Sequence, residues 1–115
     1  MLDLELYEDR RGREPVAEYI KELERRGRHA EIAAVFRYME LLRDAGPSLG
    51  MPYARLIDRI DRTYELRPGA HRVAFAIRDN SCLLLHAWRK RSQALDAAEL
   101  EVSRRRLRGW LAKEK

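Results

Sequence analysis

The sequence has one cysteine, Cys82, in 115 residues. A single thiol excludes an intramolecular disulfide and any thiolate metal cluster built from one chain, so a packed core must hold the fold. Large aromatics are sparse as well, with two Phe and two Trp beside five Tyr. No uninterrupted apolar run exceeds five residues, against the roughly 20 that a membrane-spanning helix requires. The first residues, "MLDLELYEDRRG", turn charged before an apolar stretch of secretory-signal length develops. These absences lead to an expected cytoplasmic protein with no membrane partner. The length fits one domain, residues 1–115, able to bury roughly two thirds of its extended-chain surface. Neither an internal repeat nor a low-complexity segment interrupts it.

Charge, in contrast, is plentiful: 37% of residues are charged and the net value is +5. The surplus is local. Residues 86–115 carry nine Lys/Arg against four Asp/Glu, whereas residues 1–85 balance at fifteen of each. A basic field confined to one end favours a polyanion such as nucleic acid, or an acidic protein surface.

The hydrophobic pattern predicts an α+β domain. Leu2, Leu4 and Leu6 alternate with Asp3 and Glu5, the signature of a half-buried strand. Pro15 suits the first turn of a helix, in which Val16, Tyr19, Ile20 and Leu23 form one stripe before Gly27 stops it. A second helix follows through Ile32, Val35, Phe36, Met39 and Leu42, ending before Gly46, and the two together read as a helical hairpin. From Leu56 to Lys90 the period changes to two, which predicts a three-strand meander. Its first strand takes in Ile60, Tyr64 and Leu66, its second Val73, Phe75 and Ile77, and its third "CLLLHAWRKR". Asp96 and Glu99 have capping-box spacing, and Leu100, Leu107, Trp110 and Leu111 give a final helix a narrow apolar stripe.

Parity then sorts the arginines of "RTYELRPGAHRVAFAIRDN". Arg67 and Arg72 alternate with the apolar residues and so point away from the hairpin, onto a face expected to be open. If the third strand is regular, Lys90 shares a side with Leu84, His86 and Trp88, and Arg89 shares the other with Leu83, Leu85 and Ala87. Guanidinium forks suit phosphate. His86 has the intrinsic pKa best placed for proton transfer, although a histidine between Leu85 and Ala87 is also a natural core residue. Glu65 shares the Arg67 face, and an ion pair between them would make it a weak base. Arg78 shares that face too but lies against the Asp79 turn.

The segments "LYEDRRGREPVAEYIKEL", "TYELRPGAHRVAFAI" and "LLLHAWRKRSQ", in that order, resemble the RelE/ParE superfamily of toxins from toxin–antitoxin pairs, in particular its phage-derived HigB-like branch. The resemblance runs from Leu4 to about Arg106. Ala87 and Trp88 stand where that branch has Gly-Phe, Arg91 where it has Lys, and Leu95 where a proline usually opens the last helix. It implies a small curved antiparallel sheet with the two helices on one face. It also implies a ribosome-dependent mRNA interferase that needs no cofactor and is neutralised by an antitoxin, often one with a helix-turn-helix. In such an enzyme the substrate's 2′-hydroxyl attacks the phosphate, and Arg67, Arg72, Lys90, His86 and Glu65 are the candidate catalytic residues. Arg89, Arg91, Trp88, Arg104 and Arg105 are the candidate RNA contacts. A gyrase-inhibiting, ParE-like toxin and a non-catalytic RNA-binding module are the alternatives.

Overall fold

The computed structural model describes residues 1–92 and 96–113. Its elements are β1 (Asp3–Leu6), α1 (Pro15–Arg25), α2 (His29–Ala45), β2 (Ala54–Asp58), β3 (Thr63–Leu66), β4 (His71–Arg78), β5 (Ser81–Arg89) and α3 (Ala97–Lys113), with a short 3₁₀ turn at Gly46–Ser48. Leu95 lies outside the described residues. No helix among the described residues is long and apolar enough to cross a membrane.

The N-terminal strand and the helical hairpin form where their periodicity places them, with Pro15 at the start of α1 and Gly27 at φ +70° just past its end. Val16, Val35, Met39 and Leu42 bury one face of the hairpin against Leu66, Val73, Phe75, Cys82 and Leu84 of the sheet. Phe36, assigned to the same stripe, is instead about half exposed. Tyr64 packs flat on Phe75, ring centroids 5.4 Å apart. Burial pushes the Cys82 thiol up to about 12, so this cysteine is a packing residue and not a nucleophile.

The meander differs from expectation in having four strands. The sheet order is β1-β5-β4-β3-β2, and the stretch read as one strand from Leu56 to Arg67 is a hairpin, β2 and β3. Ile60, which extends the alternating pattern, sits in the turn and is 84% exposed. The turn is made by one local bond and by contacts from elsewhere in the chain. Asp58 Oδ1 accepts the Ile60 N–H, Arg78 donates to the Asp61 carbonyl, and Arg104 and Arg108 of α3 hold the Asp58 and Asp61 carboxylates. The sheet is also mixed and not wholly antiparallel, because β1 adds to the edge of β5 in parallel. Its long return through the hairpin and the meander leaves its direction unconstrained by any tight turn.

The face opposite the hairpin is partly covered. Ala74 and Ala76 of β4 and Leu83, Leu85 and Trp88 of β5 pack under α3, with Leu107 fully buried between them and Trp110 and Leu111 beside it. Asp96 caps α3 by accepting the Ala98 N–H at 3.0 Å. The carboxylate of Glu99, its capping-box companion, reaches across to the sheet instead.

His71, for which the sequence offers no context, is the polar link between hairpin and sheet. Its Nδ1 accepts from Tyr19 Oη at 2.6 Å, and its Nε2 donates to Glu31 at 2.7 Å. One residue of β4 thereby joins α1 to α2, and it is 1% exposed. We expect His71→Phe to lower stability by about 2 kcal/mol, because it strands the Tyr19 hydroxyl beside a partner that cannot bond it. Urea unfolding of the variant measures this, and an unchanged midpoint would assign the link no energetic weight.

Candidate active site

The candidate residues come together through the register of the sheet. Arg55 of β2 lies opposite Glu65 of β3, Glu65 opposite Ala74 of β4, and Ala74 opposite His86 of β5. In the next row Arg72 faces Trp88, and Arg67 follows directly on β3. Cross-strand partners share a face. Ala74 and Trp88 pack under α3, so these rows lie on the side away from the hairpin, as parity requires.

At the centre is Glu65, whose side chain is 2% exposed. Its Oε2 accepts from both Arg55 Nε and Arg55 Nη2 at 2.9 Å, and it lies 3.6 Å from Arg67 Nε and 3.8 Å from Arg72 Nε. Burying a carboxylate in this position requires counter-charge, and three guanidinium groups surround it. Its Oε2 is thus taken up by guanidinium groups.

The two arginines differ in access. Arg72 is buried, and its Nη1 donates to the carbonyls of Gly69 and His71 at 2.9 and 2.7 Å. Burial, with the charges of Arg67 and Arg55 beside it, draws its pKa below the ordinary guanidinium value, opposed by Glu65. Arg67 is half-buried at the rim, with Nη1 2.9 Å from the Met51 sulfur and a buried Nε that makes no hydrogen bond. Lys90 follows β5 directly, half-buried, with its N–H bonded to the Ala70 carbonyl at 2.8 Å. Arg67, Arg72 and Lys90 therefore gather around the β3–β4 turn.

A bulge decides the parity of β5. Ala74 pairs with His86 but Phe75 pairs with Leu84, so Leu85 is the extra residue. Leu84 and Ala87 pack toward the hairpin, and Leu83, Leu85 and Trp88 toward α3. The regular strand that would group Leu84 with His86 and Trp88 does not form. Arg89 consequently pairs with His71 on the hairpin side, its Nη1 3.5 Å from Glu31. Arg91 is exposed just beyond.

His86 is fully engaged. Its Nε2 donates to Glu99 at 2.8 Å, its Nδ1 accepts from Arg106 Nη1 at 3.1 Å, and its ring stacks on Trp88 at 5.2 Å. The same Arg106 nitrogen donates to the carbonyl of the bulged Leu85 at 3.0 Å. Burial holds the His86 pKa below the ordinary histidine value, and the Arg106 charge adds to this against the pull of Glu99. The imidazole is therefore neutral near pH 7. Trp88 is buried between His86 and α3, so its ring is not presented for stacking on a base. Arg104 is held by Asp58 at 3.1 Å and Asp61 at 3.7 Å, whereas Arg105 is exposed.

Residues 18–108, well over half of the chain, match the family described as phage-derived Gp49-like protein. The chain belongs to this family. Gp49-like proteins are toxin-like and related to RelE and HigB. No curated protein matches the sequence. The Gp49-like match spans every residue of the cationic cluster, from Arg55 to Lys90, together with the arginines of α3.

Two expectations follow from the site's construction. The Arg72→Ala substitution should destabilise the fold by roughly 2 kcal/mol, less than for a fully broken buried pair because Arg55 keeps hold of Glu65. Arg67→Ala should cost well under half as much, and comparison of their urea midpoints measures the difference. His86 has the opposite sign of pH dependence from a salt-bridged histidine. Its folded pKa lies below its unfolded one, so its contribution is complete above about pH 6.5 and is lost as pH falls through the folded value. The urea midpoint should fall between about pH 7.5 and about pH 5.5, and His86→Gln should reduce that fall.

Proposed function

We propose that this Gp49-like protein is the toxin of a type II toxin–antitoxin pair and a ribosome-dependent mRNA interferase. The observation that carries this reading is the convergence of Arg67 and Arg72 on one carboxylate oxygen, 3.6 and 3.8 Å from Glu65 Oε2, at the rim where Lys90 directly follows β5. Glu65 holds the arginines together but offsets only part of their positive charge, and the remainder favours an anion such as a phosphate. Membership of a toxin-like family supports the same reading.

In the proposed reaction the 2′-oxygen of the message attacks its own phosphorus and the bond to the 5′-oxygen breaks, leaving a cyclic phosphate and a 5′-hydroxyl. Negative charge builds on the non-bridging oxygens. Arg67, at the rim, contacts them, and Arg72, fixed by two carbonyls and Glu65, holds the second positive charge in place without reorganisation. Glu65 acts by gathering the arginines. Lys90 adds a third cation and can protonate the departing 5′-oxygen. His86, neutral and locked in the Nε2–H tautomer by Glu99, takes the 2′ proton at Nδ1 once the entering phosphate draws Arg106 away. A cognate antitoxin with a helix-turn-helix is the proposed restraint.

The decisive experiment is primer extension on message bound to translating ribosomes. We expect new 5′ ends spaced by codons, and a loss of on the order of a hundredfold in rate for Arg67→Ala, a variant chosen because its fold is least disturbed. No cleavage by folded wild-type protein, together with inhibition of gyrase supercoiling, would replace this reading with the ParE-like one.

A further inference from the structure

The run "RRRLR", Arg104 to Arg108, looks like one basic face but is divided by helical angle. Arg104 and Arg108, one turn apart, grip Asp58 and Asp61. Arg106 turns to the sheet, and Leu107 is buried. Arg105 points elsewhere, into a cleft of about 610 Å³ between the β1–α1 loop and the end of α3.

Arg10 and Arg11 line this cleft from the loop, and Arg105 and Lys113 line it from the helix. None of these four makes an ion pair within 4 Å among the described residues, in contrast to Arg104 and Arg108 of the same helix. The cleft's one carboxylate, Asp9, is engaged by its own loop, accepting the N–H groups of Arg11 and Arg13 at 2.8 and 2.9 Å. Those bonds hold the loop in shape and keep its carboxyl below the usual range. Four cations thus converge with one self-satisfied acid among them.

The shape adds a second constraint. Arg105, Gly109, Ala112 and Lys113 fall on one helical stripe, at i, i+4, i+7 and i+8. Cations stand at its ends and small residues in its middle, over about 12 Å of helix. A Cβ at Gly109 would meet nothing within 4 Å. Such a trough exceeds the needs of a single phosphate group and matches an extended polyanion. Tyr7 forms part of the wall, with the Arg106 guanidinium 5.6 Å from its ring centroid. Cations beside an aromatic ring are the combination that holds single-stranded nucleic acid, backbone on charge and base on ring.

We propose that the trough between the β1–α1 loop and α3 binds an extended stretch of single-stranded RNA, as an anchoring subsite distinct from the Arg67–Arg72 cluster. It deepens the interferase reading and rests on it for its purpose. The trough's own cations, Arg10, Arg11, Arg105 and Lys113, are none of the residues given a part in the reaction, so grip and chemistry can be lost separately.

The test uses the full chain and a fluorescently labelled uridine oligonucleotide, with anisotropy read across a salt series. Gly109→Glu places a carboxylate in the trough from a position with open space at Cβ, and we expect it to weaken binding by about tenfold or more and to flatten the salt dependence. Gly109→Ala should bind as the wild type does and unfold at a higher urea concentration. Arg105→Ala should weaken binding, and Arg67→Ala should leave most of it. Wild-type binding by Gly109→Glu overturns the subsite, even if ribosome-bound message is still cut. Lost binding by Gly109→Glu, with no cleavage by the wild type, keeps the subsite and removes the interferase reading. Displacement of the oligonucleotide by a polyglutamate peptide of matched charge at equal concentration overturns the RNA assignment in favour of an acidic protein partner.

Discussion

Burying the carboxylate of Glu65 inside a β-sheet would be prohibitive without counter-charge, and Arg55, Arg67 and Arg72 bring it from three successive strand segments. The interaction constrains everything around it. It fixes Arg72 over the β3–β4 turn, where two carbonyls complete its bonding. It also brings Arg67 close enough to share the same oxygen. With Arg55 supplying the shortest contacts, the other two arginines are held near the carboxylate at longer range. A site that must receive an anion has such a requirement: cations in position, with their own neutralisation incomplete.

Much of this was legible in the sequence because it depends on period two. The alternation of Leu66 with Arg67 and of Val73 with Arg72 separates core from cations without reference to anything distant. The helical hairpin was legible for the same reason at period 3.6. What could not be read were features set by distant residues. Ile60 continues the alternating pattern perfectly well, and the chain turns there with Arg78 and the arginines of α3, far along the chain, gripping Asp58 and Asp61. Burial of Arg72 likewise depends on Glu65 of β3 and on Trp88 opposite it on β5, on a face expected to be open. His71 gives no local signal, since its partners Tyr19 and Glu31 lie 52 and 40 residues away.

Helix α3 does more than cap the sheet. Arg104 and Arg108 staple it to the β2–β3 turn, and Glu99 and Arg106 clasp His86 from both sides. Leu107 seats it on Ala76 and Leu83. The geometry around His86 is thereby coupled to the docking of this helix, so anything that lifts α3 exposes the imidazole and unfastens the β2–β3 turn together.

The bulge at Leu85 shifts the phase of β5 partway along its length. Before it, even-numbered residues such as Cys82 and Leu84 feed the core under the hairpin; after it, Ala87 does so and Arg89 follows on that side. The outer end of the strand is thus out of step with its buried body. Removing the extra residue would put the strand back in step, and either Cys82 and Leu84 or Ala87 and Arg89 would then have to change faces.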